Sequence, residues 1–253
     1  MSICPENILF PLSSKYDENW IRKNSLGENV LYNLETLCHV LKFEPGMKVL
    51  DLGCGKALSG IFLAKEFGVK VWAIDHKVSP SENFDRIKDM GVDELVIPLK
   101  LNASCLPFPE EYFDIILAVD SFMYYGTDTE YTQYISRFLK PGGQIGIVDI
   151  CFNIRTGNGN KERFINKENL YFLHSFEWWY ELWQNSGILN VEVAEIVPEN
   201  DFIRNEYIKD NMYSSKKDII ADELSQDTDE VINIFRMVAR KFQKDHSRYF
   251  AVS

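Results

Sequence analysis

The chain has 253 residues, with 38 acidic against 27 basic side chains and a formal charge of −11. That length admits one large α/β domain with a good core, and the acidic balance disfavours long-range attraction to nucleic acid or anionic lipid. No apolar run is long enough for a membrane span, the N-terminus lacks the basic-then-apolar form of a signal peptide, and the five scattered cysteines contain no Cys-x-x-Cys pair. A soluble, cytoplasmic protein with reduced cysteines and no metal is expected.

Between Glu28 and Leu41 the apolar residues Val30, Leu31, Leu34, Leu37, Cys38 and Leu41 fall at helical spacing, so a helix packed on a sheet edge is expected. Pro45-Gly46 then turns the chain into a first strand. The stretch from Val49 to Asp75 organises the rest of the chain: strand, glycine turn, helix, second strand and a carboxylate at that strand's end, the form of a nucleotide-type cofactor site. Gly53 and Gly55 lack a Cβ, so the turn can take otherwise costly dihedrals and let a ligand lie on bare backbone. Asp75 follows Asp51 by 24 residues, about where a ribose diol needs an acceptor. A dinucleotide fingerprint requires a third glycine where Leu58 stands, and Asp51 sits badly beside a pyrophosphate at a helix N-terminus. A cofactor with an ammonium group and no phosphate suits these residues better than a nicotinamide dinucleotide.

Ser79-Pro80 starts a helix that runs to about Met90-Gly91, and Glu94 to Leu99 reads as a short strand. Asn102-Ala103 comes directly after it. Tyr112 to Asp120 is a nearly continuous apolar run, as expected of a strand covered on both faces. Ligands sit beyond the carboxyl ends of strands in open α/β sheets, so Asp75, Asn102 and Asp120 should reach one rim. Thr127 to Glu130 reads as a capping box, and Tyr131, Tyr134, Ile135, Phe138 and Leu139 line the buried face of the helix it opens. Lys140-Pro141-Gly142-Gly143 turns the chain into a fifth strand, Gln144 to Asp149. Gly157 to Asn160 marks a loop, Ser175 caps a tryptophan-rich helix ending at Ser186-Gly187, and Val191 to Val197 alternates as a sixth strand. Val231, Ile232, Ile234, Phe235, Val238, Ala239 and Phe242 repeat at helical spacing. Residues 199–245 therefore read as a helical insertion and Arg248 to Val252 as the seventh strand, with Ile234 to Ala239 the alternative position for it.

Val49-Leu50-Asp51-Leu52-Gly53-Cys54-Gly55 resembles the first motif of the class I S-adenosylmethionine-dependent methyltransferases. Asn102-Ala103 resembles their adenine-recognising pair, and Leu139-Lys140-Pro141-Gly142-Gly143 the turn before their fifth strand, so the resemblance spans roughly residues 47–150. One departure is Ala57, where the motif usually has a third glycine. The chain is also similar to cyclopropane-fatty-acid synthase relatives, although its acidic surface argues against a lipid membrane as substrate. The resemblance implies a single α/β domain: a doubly wound, seven-stranded, mostly parallel sheet of the Rossmann-like methyltransferase type. Its parts are an N-terminal helical cap (1–45), a cofactor-binding core (46–198), a helical insertion (199–245) and the last strand (246–253).

It further implies methyl transfer from S-adenosylmethionine to a small organic acceptor by in-line displacement. Gly53, Gly55 and Ala57 would form the turn beside the methionine part, with Asp51 favouring its ammonium. Asp75 would bind the ribose, His76 flank the adenosine, Asn102 and Ala103 take the adenine, and Asp120 lie under the methionyl group. Tyr16 and Trp20 either cover the cofactor or pack the added helices. Around the acceptor, Tyr124, Tyr125, His174 and Trp179 are candidates, the tryptophans serving either as an aromatic wall or as packing against the sheet. No catalytic base is assigned, because Met123 stands where related enzymes place a histidine. A non-catalytic cofactor-binding protein and a nicotinamide oxidoreductase remain the alternatives.

Overall fold

The computed structural model describes residues 8–26, 30–152, 174–211 and 232–243. Seven strands form one sheet: β1 (Lys48–Leu52), β2 (Lys70–Asp75), β3 (Val96–Lys100), β4 (Phe113–Val119), β5 (Leu139–Phe152), β6 (Leu189–Ile196) and β7 (Ile232–Lys241). Their order is β3-β2-β1-β4-β5-β7-β6. The first five run parallel, and β7 pairs antiparallel with both β5 and β6. Strand order reverses between β1 and β4, and an open sheet leaves a crevice at such a switch point.

Among the described residues the helices are α1 (Glu18–Asn24), α2 (Val30–Cys38), α3 (Leu58–Phe67), α4 (Pro80–Asp89), α5 (Thr129–Ser136), α6 (Phe176–Gln184) and α7 (Asn200–Asn211). Adjacent residues of β7 show how two of them flank the sheet. Arg236 reaches the Thr36 carbonyl on α2, while Phe235 stacks on Trp179 of α6; successive side chains of a strand point to opposite faces. The helix expected at a sheet edge therefore lies across the sheet face, over β4, β5 and β7. A Cβ on Gly146 of β5 would come within 3.0 Å of Leu41 and 3.2 Å of Leu37.

Several boundaries differ from the sequence reading. Residues 232–241 are the seventh strand rather than part of a helical insertion, in agreement with the alternative position at Ile234 to Ala239. This strand is inserted between two others and covered on both faces, with Ile234, Phe235, Met237, Val238 and Ala239 all buried. Apolar residues then fall on both sides of the strand, and their spacing imitates a helix. The expected strand at 248–252 and residues 212–231 of the insertion lie outside the described residues. The Lys140 to Gly143 turn is an irregularity within β5: register with β4 shifts from Phe113↔Leu139 to Ile115↔Gln144, and Gly142 takes φ 77°. Helix α5 is capped one residue later than expected, by Asp128, whose carboxylate accepts the amides of Glu130 and Tyr131. Ser175 caps α6 as expected, accepting from the Trp178 amide.

The N-terminal segment is tied down by Glu35 of α2, which is fully buried. Its carboxylate accepts the Leu12 amide at 2.8 Å, the Ser13 amide at 2.6 Å and the Ser13 hydroxyl at 2.5 Å. Glu35→Ala leaves these donors without that acceptor, and the expected loss of stability is roughly 2–4 kcal/mol. Urea unfolding midpoints of the two proteins check this.

Candidate functional site

The first strand and the glycine turn define the floor of the site. Leu52 ends β1, and Gly53 (φ 71°) and Gly55 (φ 52°) come after it in the left-handed region. The turn is fastened to β2 by the Cys54 amide, which donates to the Ile74 carbonyl at 2.9 Å, and to α4 by Asn83, whose Nδ2 donates to the Gly55 carbonyl at 2.9 Å. Asp75, at the end of β2, accepts the Gly55 amide at 3.1 Å through Oδ2. Its Oδ1 accepts the amides of Lys77 at 2.6 Å and Val78 at 2.9 Å. Two backbone segments thus hold this carboxylate at the carboxyl edge of the sheet.

From β4 come Asp120 and Ser121. Asp120 takes φ 49°, a conformation that aspartate tolerates better than most side chains. Asn33 of α2 fixes its carboxylate, Nδ2 lying 2.9 and 2.8 Å from the two oxygens. The hydroxyls of Ser121 and Tyr125 both donate to the Leu52 carbonyl, at 2.7 and 3.2 Å. Burial pushes the Tyr125 phenol well above its ordinary pKa, so Tyr125 is a neutral donor rather than a base.

These groups surround a cavity of about 510 Å³ at the switch point between β1 and β4, within the usual range of small-molecule sites. Gly53, Gly55, Asp75, His76, Asn102, Ala103, Asp120, Tyr124 and Tyr125 all line it. The loop carrying Asn102 and Ala103 is braced from α5: Tyr131 donates to the Ala103 carbonyl at 3.2 Å, and Tyr134 accepts the Leu106 amide at 2.6 Å. Those two tyrosines, read as core packing, also support the cavity wall.

A methyltransferase-domain family model matches residues 49–143, which contain the glycine turn, Asp75, Asn102 and Asp120. Residues 49–143 thus resemble a methyltransferase domain. Phosphoethanolamine N-methyltransferase 1 of Zea mays is 24% identical over 83% of this chain and 41% of its own length. Sterol 4-C-methyltransferase strm-1 of Caenorhabditis elegans is 28% identical over 56% of this chain and 41% of its own. The chain thus spans about two fifths of the length of these relatives. Among solved structures, geranyl diphosphate C-methyltransferase from Streptomyces coelicolor has a TM-score of 0.66 at 20% identity, covering 82% of this chain and 79% of that one. The cyclase SpnF reaches 0.71 at 16% identity, covering 94% of both chains. At these identities the structures speak for the fold alone.

Four residues expected at the site lie away from the cavity. Asp51 is 1% exposed and does not line the cavity; the Ser59 hydroxyl of α3 donates to it at 2.5 Å, so it ties β1 to α3 instead of facing an ammonium group. Ala57 is fully buried as the N-cap of α3 at φ 64°, where glycine is favoured. It shapes the helix entry rather than lining the space. His174 stacks on Trp178 with ring centroids 3.6 Å apart. Trp179 is fully buried among Phe122, Phe235 and His174, which is the packing role. Nor do Tyr16 and Trp20 cover the cavity. Tyr16 stacks on Trp20 and lies tilted against Phe62, and its hydroxyl donates to Glu66 at 3.2 Å.

The N-terminal wall instead comes from Asn24, Ser25, Leu26 and Val30, which sequence reasoning missed along with Asn33 and Ser121. Nothing in helical spacing marks Asn24 or Asn33. The one legible signal was for Ser121, directly after the strand that ends at the rim.

Burial pushes the Asp51 carboxyl up from 3.8 to about 7, against the lowering effect of the Ser59 bond and helped by the negative charge of Asp75. The folded protein therefore keeps this proton up to about pH 7, while the unfolded chain releases it near pH 4. More protons are bound in the folded state across that interval, so this group makes stability fall as pH rises from about 4 to about 7, by on the order of 3–4 kcal/mol. Asp51→Asn is expected to flatten that part of the profile, as read from denaturation midpoints taken at intervals between pH 4 and 8.

Proposed function

We propose that the cavity binds S-adenosylmethionine and that the protein transfers its methyl group to a small organic acceptor. The observation that carries this reading is the convergence of Gly53, Asp75, Asn102 and Asp120 on one space at the strand switch point. Fit is tested by the turn itself: a Cβ on Gly53 would stand 2.7 Å from Ser121 Cβ, so only glycine lets the turn pack against Ser121 where both line the cavity. Bound there, S-adenosylmethionine would supply a methyl carbon activated by its sulfonium, and these residues would hold it.

This chain's residues bind and orient. Asp75 offers acceptor oxygens to a ribose diol and disfavours a phosphate in that position. Asn102 and Ala103 offer polar groups to a base edge, and His76 flanks it. Asp120, held by Asn33, places a negative charge at the rim toward a cationic group. Tyr124 and Tyr125 border the acceptor's side, and Tyr125, its hydroxyl donating a hydrogen bond to the Leu52 carbonyl, keeps its proton and takes none from an acceptor. The acceptor's nature among the relatives ranges from phosphoethanolamine to sterols, and is here put no more finely than a small molecule.

No helix among the described residues is long and apolar enough to cross a membrane. Free thiols at Cys38, Cys54, Cys105 and Cys151 fit a reducing compartment, the cytoplasm, and the charge of −11 fits a protein that does not bind nucleic acid.

Calorimetric titration with S-adenosylmethionine, S-adenosylhomocysteine and a nicotinamide dinucleotide tests the cofactor. Heat with the first two and none with the third is expected; the reverse result sinks the reading. Transfer of labelled methyl to a panel of small amines, alcohols and sterols then tests catalysis. Binding without transfer to any member would favour a non-catalytic cofactor-binding protein.

A further inference from the structure

The N-terminal wall of the cavity is not held by apolar packing alone. The Lys56 ammonium, one residue past the glycine turn, donates at 2.9 Å to the carbonyl of Lys23 in the last turn of α1. A cation there satisfies an orphan carbonyl and the negative end of the helix dipole. On the other side, Arg86 Nε donates at 3.1 Å to Asn24 Oδ1, and Asn24 is a cavity-lining residue only 9% exposed. Arg86 is aimed by α4, its Nη1 donating to Asn83 Oδ1 at 2.6 Å and to the Glu82 carbonyl at 2.8 Å. Asn83 in turn donates to the Gly55 carbonyl. An unbroken hydrogen-bonded path therefore runs from the glycine turn through Asn83 and Arg86 to the wall facing it.

We propose that Arg86 is a positioning residue for the cofactor: it latches the end of α1 across the glycine turn and thereby sets how tightly the bound cofactor is retained. The latch rests on the reading of the cavity as a cofactor site. Arg86 itself does not line the cavity, so it acts through Asn24 and Asn83. Its side chain is 19% exposed, so water competes only partly for the bond. A guanidinium suits the post because its planar fork serves Asn24 and Asn83 together, which an ammonium cannot do in the same geometry.

The test is calorimetry with S-adenosylhomocysteine on the full chain, for the unsubstituted protein, Arg86→Ala, Arg86→Lys, Asn24→Ala and the Arg86→Ala/Asn24→Ala pair. Arg86→Ala is expected to weaken binding about tenfold, the equivalent of one lost charge-assisted hydrogen bond. Arg86→Lys should recover only part of this, and the pair should be no weaker than the poorer single variant, because both remove one bond. Hydrogen exchange gives the second readout: the ligand should protect the amides of residues 18–26 in the unsubstituted protein and not in Arg86→Ala. If all variants bind as the unsubstituted protein does, below their melting temperatures, the latch is overturned and the cofactor site stands. If the unsubstituted protein takes up no ligand, both are overturned. Should Arg86→Ala not fold, Arg86→Lys and Asn24→Ala decide the matter by the same criterion.

Discussion

Asp75→Ala is expected to weaken binding of S-adenosylhomocysteine by at least about a hundredfold. Each hydroxyl of a ribose diol that donates to a carboxylate contributes about 1.5–3 kcal/mol, and two such bonds are lost together. A second effect adds to the first. The same carboxylate accepts the amides of Gly55, Lys77 and Val78, so alanine removes an acceptor that holds the glycine turn against the end of β2. Asp75→Asn separates the two: it keeps one oxygen for the backbone amides but loses the charge, and an intermediate affinity is expected. Calorimetry on the three proteins reads the result. An alanine variant within threefold of the unsubstituted protein would take Asp75 out of the cofactor's contacts.

Residues on strands and their immediate exits were legible from sequence, because a parallel sheet puts successive strand ends at one rim whatever the intervening helices do. Asp75, Asn102 and Asp120 are placed together on that argument, and with Gly53 they line one cavity. What could not be read are contacts made from helices across the sheet. Asn33 reaches Asp120 from a position 87 residues earlier, and Arg86 meets Asn24 from 62 residues away. Neither pairing leaves a trace in local spacing. Asp51 shows a related failure. Its place in the first motif was plain, but a strand residue has two faces to choose from, and this side chain turns to Ser59 beneath α3. Strand β7 failed for a third reason: helices α2 and α6 cover its two faces, so the alternation that distinguishes strand from helix is lost.

The same geometry makes Gly53→Ala the substitution expected to do most damage to the site. At φ 71° an L side chain costs about 1–2 kcal/mol in backbone strain alone. The new Cβ would also stand 2.7 Å from Ser121 Cβ and 2.8 Å from its Oγ. Ser121 cannot readily yield, since it is 8% exposed and its hydroxyl is committed to the Leu52 carbonyl at 2.7 Å. Relief therefore requires the turn or the end of β4 to move, at a further cost of about 1–3 kcal/mol. Either movement displaces the floor between the glycine turn and Asp120. Heat with S-adenosylhomocysteine should fall below detection, and the melting temperature should drop. Adding Ser121→Gly removes the collision but not the left-handed strain, so the double variant is expected to regain part of the stability lost by Gly53→Ala. A coupling of that sign in the double-mutant cycle locates the damage in the contact between the two strand ends. If Gly53→Ala instead retained both stability and ligand affinity, close approach of bare backbone to the ligand would not be what this turn provides.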